Sequence, residues 1–179
     1  MYTIKVQARQ KQEKVKQLRR NGFVPATVYG YGMAESISVQ LERGEADKML
    51  RAHSRGAMVA LDMDGRKLVC LLKCADRNQL KNEIEHIEFQ KLHDNRPVNA
   101  SAQIVLLNRE KIPGYIGQEM FELPYCALPA DLVETVAVDL CDLPKSRCVT
   151  VSDLELAKNE RIEILCPGDN LVVKVSGAM

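Results

Sequence analysis

The chain has 179 residues, enough for one domain or two small ones, with 46% apolar residues, no Trp and a net charge of +1. No run approaches the ~18 apolar residues that a membrane-spanning helix needs. The N-terminal stretch "MYTIKVQARQKQEK" turns charged too early for a signal peptide, so a soluble intracellular protein is expected. The small net charge hides a split. Residues 1–94 hold 17 Lys and Arg against 12 Asp and Glu, while residues 95–179 hold 8 against 12. In the first 32 residues, Lys5, Arg9, Lys11, Lys14, Lys16, Arg19 and Arg20 face one acid, Glu13. That asymmetry points to a polyanionic partner for the first half.

In chain order, "YTIKVQARQ" alternates at Ile4, Val6 and Ala8 and reads as a strand, with Lys5, Gln7 and Arg9 on its open face. "KQEKVKQLRRNG" offers only Val15 and Leu18 as apolar residues, which suits a short helix ended by Gly22 or a basic loop. "VPATVYG" is a strand entered through Pro25 and closed by glycines, and "ESISVQLE" alternates cleanly. "GEADKMLRAHS" places Ala46, Met49, Leu50 and His53 at helical spacing. "MVALDMDGRKLVCLLKCADR" is two strands across an Asp64-Gly65 turn. "NEIEHIEFQKL" alternates imperfectly through Ile84, Ile87 and Phe89, a strand with an irregularity.

The polar seam "HDNRPVN" places a domain boundary, giving units 1–93 and 94–179. "ASAQIVLLNREKIPG" opens the second unit. "ETVAVDLCDL" and "RIEILCPGDNLVVKV" read as strands, and "SDLELAKNE" as a short turn. No long helices alternate with strands, so a βαβ nucleotide-binding sheet is not expected. The fold class is mainly β with short helices (β/α+β).

Nothing points to catalysis. His53, His86 and His93 form no metal-binding motif, and no Gly-x-Ser-x-Gly, Walker A or Gly-x-Gly-x-x-Gly pattern occurs. The six cysteines lack finger-like spacing and read as reduced and structural. Cys70 and Cys74, evenly spaced on one strand, would share a side as small core fillers. No cofactor, metal or small-molecule substrate is expected.

Nucleic acid fits better. Arg19 and Arg20 adjoin a loop, and arginine suits bidentate phosphate contacts. Tyr29 and Tyr31 can pack on a sugar or base, Gly30 and Gly32 permit close backbone approach, and His86 can bond a base edge. Each also has a plainer reading, Tyr29 as core, the glycines as turn residues and His86 as a satisfied surface residue.

"LRRNGFVPATVYGYG" resembles the "LRR-x-G-x-(I/V)-PA-x-x-YG" signature of the bacterial ribosomal proteins that bind 5S rRNA, among them the two-domain Ctc-type general stress proteins. "LDMDGRKLVCLLKCADR" is similar to that family's β-hairpin, and "LKNEIEHIEF" to its segment ending "H-(I/V)-D-F". "ALPADLVETVAVDLCDL" and "VTVSDLEL" resemble the second domain of the longer members. The resemblance implies an N-terminal six-stranded β-barrel and a β-rich C-terminal domain. It implies docking on the loop E region of 5S rRNA beside other large-subunit proteins, in the cytoplasm and away from any membrane. By position, Arg9, Arg19 and Arg20 would hold phosphates, with Lys14 and Lys16 in the adjoining basic loop. Tyr29 would support the RNA-facing surface, and His86 with Glu88 would contact the groove.

The chain departs from the pattern before "LRR", where "KQEKVKQ" is shorter and less basic than the family's Gly-Lys and arginine stretch, and at four further positions. Asp76 stands where a glutamine would donate to RNA, Asn78 and Gln79 replace His and Pro, and Glu88 replaces Asp. These changes predict weaker or altered RNA binding. The rival readings are a stress or protein-interaction paralogue that has lost rRNA binding, and a metal or thiol enzyme built on the cysteines. The family's barrel is also similar to the anticodon-binding barrel of glutaminyl-tRNA synthetase, which would place tRNA among its candidate ligands.

Overall fold

The computed structural model describes residues 2–9, 14–112, 114–142 and 148–176. The chain divides into two compact units, Met1–Arg96 and Pro97–Met179.

The first unit begins with β1 (Tyr2–Lys5), β2 (Gln7–Ala8), α1 (Val15–Arg20), β3 (Phe23–Gly30) and β4 (Ile37–Glu42). It continues through α2 (Arg43–Ala52), β5 (Met58–Met63), β6 (Arg66–Asn78) and β7 (Glu83–Lys91). The strands form one sheet in the order β1-β5-β6-β7-β3-β4-β2. β1 and β2 stand at opposite ends of that order, yet only Val6 separates them in the chain. The sheet must therefore curl until its ends meet, which makes it a nearly closed barrel. Val6 is buried and donates its backbone N–H to Asp62 at 2.9 Å, and the chain then crosses from pairing with β5 to pairing with β4. The one expected N-terminal strand thus becomes two segments, and the sheet counts seven rather than six.

Alternation fills the barrel. Val24, Ala26 and Val28 of β3, Val39 and Leu41 of β4, and Ile84, Ile87 and Phe89 of β7 all point into one core. Ala46 and Met49 of α2 join them, which is why that amphipathic segment forms a helix. α1 buries only Leu18, and it stops at Asn21–Gly22. The expected segment 11–14 that precedes it lies outside the described residues except for Lys14. The Asp64–Gly65 turn has φ of 51° and 85° at its two residues, the positive pair that a two-residue hairpin requires.

Two bulges set which side chains face outward. The pairing of β6 with β7 shifts register between Leu72 and Cys74 and again between Asp76 and Arg77. At the second shift, Asp76 pairs with His86 and Arg77 with Ile84, leaving Glu85 as an extra residue. This is the irregularity expected from the Ile84–Ile87 spacing. The first shift corrects an expectation. Lys73 is inserted between the two cysteines, so Cys70 stays in the core while Cys74 turns to the outer face beside Asp76 and Arg55.

The second unit holds β8 (Val98–Leu107), β9 (Tyr115–Gln118), β10 (Glu122–Ala127), β11 (Thr135–Asp139), β12 (Cys148–Thr150), β13 (Glu163–Ile164) and β14 (Leu171–Ser176). They build a four-stranded sheet, β11-β8-β10-β13, and a three-stranded one, β12-β14-β9. Short 3-10 turns connect them, including Val151–Asp153 and Glu155–Lys158 within the expected "SDLELAKNE" turn. The expected strand "ETVAVDLCDL" runs only to Asp139 before a 3-10 turn, and Leu143 falls outside the described residues. Tyr125 is fully buried, and its hydroxyl donates to the carbonyl of Val133 and accepts from the Val133 N–H, each at 2.8 Å. The fold class is mainly β with short helices, as the sequence patterning indicates.

Candidate nucleic-acid interface

The outer face of the barrel gathers polar side chains from β6, β7 and β3. Because Ala26 and Val28 point inward, Thr27 and Tyr29 point outward. β3 pairs in parallel with β7, which places Thr27 opposite Glu88 and Tyr29 opposite Gln90. Cys74 and Asp76 of β6 pair with Glu88 and His86. The result is one continuous patch of Asp76, His86, Glu88, Thr27 and Tyr29. Thr27 Oγ1 and His86 Nε2 are hydrogen-bonded at 3.2 Å, which fixes the imidazole on the sheet. Partial burial, with the Glu88 charge second, raises the Tyr29 phenol above its ordinary value, so the hydroxyl stays protonated and able to donate.

β4 and β2 extend the patch. Ser38 pairs with Thr27, and Gln40 with Pro25 and Gln7; Gln40 donates to Gln7 at 3.2 Å. Arg9 follows β2, half-buried, and its backbone N–H donates to Ser38 at 3.0 Å.

A cleft of about 550 Å³ opens beside the patch, between α1, the start of α2 and the turn joining β6 to β7. Lys16, Arg19, Arg20, Arg43 and Lys81 line it, together with Asn78, Glu83 and Glu85. Arg19 is not a free cation. Its Nε and Nη2 both donate to the carbonyl of Glu85, the extra residue of the bulge, at 3.2 and 3.1 Å. Arg43 braces the same corner, with Nη2 donating to the Arg19 carbonyl at 3.0 Å and Nη1 bridging to Glu83 Oε1 at 3.2 Å. Arg20 is exposed and makes no ion pair among the described residues. Lys14 precedes α1 and Lys16 lies in its first turn, both exposed.

The structure therefore brings Arg19, Arg20 and Lys16 to one cleft, and Tyr29, His86 and Glu88 to one face. Arg9 sits on the β2 side of that face. Arg43, Lys81 and Asn78 of the cleft escaped the sequence reading, as did Glu83 and Glu85. Arg43 is one cation in an acidic stretch, and Lys81 lies in a turn without periodicity. Asn78, counted as a departure, turns out to build the site: its Oδ1 accepts the N–H groups of Leu80 and Lys81, and its Nδ2 donates to Glu85 Oε1 at 2.9 Å. Tyr31 leaves the face for a separate cluster with Arg96 and His93. Gly30 explains part of the "YGYG" run, since a Cβ there would lie 2.8 Å from the Lys91 carbonyl at a φ of 154°.

Among the described residues no group of three His, Cys, Asp or Glu is placed to share a metal ion, and no helix is long and apolar enough to cross a membrane. All six cysteines are free thiols.

A barrel with a polar outer face and a cation-lined corner, followed by a second β-rich unit, defines a two-domain, mainly β protein with a charged polar surface. Comparison with known proteins gives the family. Residues 4–89 match the Ribosomal L25p family and residues 97–179 match the C-terminal domain of ribosomal protein TL5. The chain is 30% identical over 172 residues to large ribosomal subunit protein bL25 of Staphylococcus epidermidis, spanning 94% of this chain and 78% of that one. It is 31% identical over 160 residues to the Staphylococcus aureus protein of that name, covering 88% and 73%, and 27% identical over 165 residues to the Nitrosomonas europaea protein, covering 88% and 83%. The chain belongs to the ribosomal L25p family in its longer, TL5-type form, and is a structural ribosomal protein rather than an enzyme.

Proposed function

We propose that the chain is a constituent of the large ribosomal subunit that docks on 5S rRNA through its first unit. The first unit, expected as residues 1–93, carries the rRNA-binding role in this reading, and the second, expected as 94–179, is the β-rich C-terminal domain. The observation that carries this reading is the cleft in which Lys16, Arg19, Arg20, Arg43 and Lys81 converge beside the His86–Thr27 face. Arg9, Lys14, Lys16, Arg19 and Arg20 supply the electrostatic grip, Tyr29 supports the RNA-facing surface, and His86 with Glu88 meets the groove. Affinity comes from counterion release along the basic corner. Specificity comes from the shape of a distorted internal loop, loop E, that the polar outer face of the barrel can follow.

The test is a titration of a 5S rRNA fragment containing loop E, beside a fully paired duplex of equal length. With about five phosphate contacts, log K should fall against log salt with a slope of about −4 to −5. The fragment should bind more tightly than the duplex. Equal affinity for both would leave only non-specific attraction and refute the reading.

Asp76 favours a second reading. It is exposed on the same face, opposite His86, and a carboxylate there repels phosphate. On this reading the chain is a stress-related paralogue with weakened rRNA affinity. Sedimentation with large subunits from stressed and unstressed cells separates the two, since a resident protein co-sediments in both.

A further inference from the structure

At the end of β3 remote from α1, Tyr31 projects from the β3–β4 turn with 56% of its surface exposed. The Arg96 guanidinium carbon sits 3.5 Å from the centre of its ring, and the His93 ring meets it edge-on at 5.7 Å and 88°. Both turns that carry these groups are closed by backbone hydrogen bonds, Met33 to Gly30 at 3.3 Å and Arg96 to His93 at 3.0 Å. Lys91 pairs with Gly30 at the same corner, and Asp94 is the one acid in the 93–96 turn.

We propose that Tyr31 and Arg96, with His93 beside them, form a stacking platform for one unpaired nucleobase of the bound RNA. The proposal rests on the RNA-binding reading above and extends its footprint. The guanidinium stacked on one face of the Tyr31 ring leaves the other ring face and its own outer plane for a base, and splayed-out bases pack on both kinds of plane. The cation–π contact orients Arg96 before any ligand arrives, so less side-chain freedom is lost on binding. Lys91 and Arg96 outnumber Asp94, which suits the phosphates flanking such a base. Continuity selects RNA over protein as occupant. Tyr31 lies two residues beyond Tyr29, whose side chain is on the polar face, and the eight steps of chain from Phe23 to Tyr31 span about 26 Å, so one RNA can meet both the α1 cleft and this platform.

The test uses the full chain, a 5S rRNA transcript and the variants Tyr31→Ala, Tyr31→Leu, Tyr31→Phe and Arg96→Ala. Removing the ring should weaken binding about tenfold, ~1.4 kcal/mol, in both the Ala and Leu variants. Phe should bind like wild type, and Arg96→Ala should lose affinity as well. Ultraviolet cross-linking of the wild-type complex should join a base to Tyr31. Wild-type affinity in Tyr31→Ala and Tyr31→Leu, or cross-links that avoid Tyr31, would overturn the platform while leaving the RNA reading intact. Failure of the wild-type chain to bind the transcript would remove both.

Discussion

The guanidinium of Arg19 grips the carbonyl oxygen of Glu85 with two hydrogen bonds, from Nε at 3.2 Å and from Nη2 at 3.1 Å. Glu85 is the inserted residue of a β-bulge, so its carbonyl falls out of the regular ladder and needs a partner from elsewhere. Arg19 supplies it and ties α1 to β7 across 66 positions of sequence. The neighbouring Arg20 has no such duty and projects from the same helix into solvent. The two arginines of one dipeptide thus hold different jobs. Arg19→Ala should destabilise the first unit by about 1–3 kcal/mol, because it strands a partly buried carbonyl. Arg19→Lys should not restore it, since one ammonium cannot reproduce the two-pronged geometry. Arg20→Ala should leave the melting temperature unchanged and weaken RNA binding by ~1 kcal/mol or somewhat more. Thermal melts paired with RNA titrations separate the two effects.

Asp76 puts a negative charge on the face proposed for RNA, where its Oδ1 accepts a weak hydrogen bond from the Cys74 thiol at 3.4 Å. Asp76→Gln should therefore raise affinity for the 5S fragment by roughly 0.5–1 kcal/mol at low salt, and less as salt screens the charge. An unchanged affinity at low salt would place the RNA away from β6.

Burial pushes the Cys70 thiol up to about 12 from an ordinary value of 9.0. The folded chain holds that proton where the unfolded chain has lost it. This contribution to stability is present in full below pH 9 and is lost as pH rises through the folded value near 12. Urea unfolding at neutral pH and at about pH 10.5 should show the decline, and Cys70→Val should lack that component of it. Under native conditions alkylation should reach the exposed Cys141 and leave the buried Cys70 unmodified, as peptide mass mapping would show.

Tyr125 anchors the second unit. Its hydroxyl satisfies both backbone groups of Val133 from a fully buried position. Tyr125→Phe leaves a backbone N–H and carbonyl short of partners and should cost about 1–3 kcal/mol, read by chemical denaturation.

The first unit was legible where one rule decided the outcome. Asp64–Gly65 announced its hairpin, and the Ile84–Ile87 spacing announced the bulge, because a period of two admits no other reading of three-residue spacing within a strand. The side assigned to Cys74 failed for the same reason in reverse. The insertion at Lys73 has no signature of its own, and one extra residue flips every later side chain. In the second unit, "ELPYCA" of β10 buries Leu123, Tyr125 and Ala127, a strand that the sequence patterning left unassigned. Of the site, the basic run around Arg19 and Arg20 was visible as charge density. Arg43 and Lys81 were not, because their membership of the cleft depends on the distance between α2, the β6–β7 turn and α1, which no local pattern encodes. Asn78 shows the same limit. Compared with the family pattern it reads as a lost contact, but in the fold it shapes the turn that presents Lys81.

The central claim is that the cleft around Arg20 and the His86–Thr27 face together form the surface that meets 5S rRNA. Backbone amide resonances of the isotope-labelled full chain, followed while a loop E fragment of 5S rRNA is added, test it most directly. Shifts should concentrate at Lys16, Arg20, Thr27, Tyr29, Lys81, His86 and Glu88. Perturbations confined to residues 97–179, or spread evenly over both units, would contradict the account.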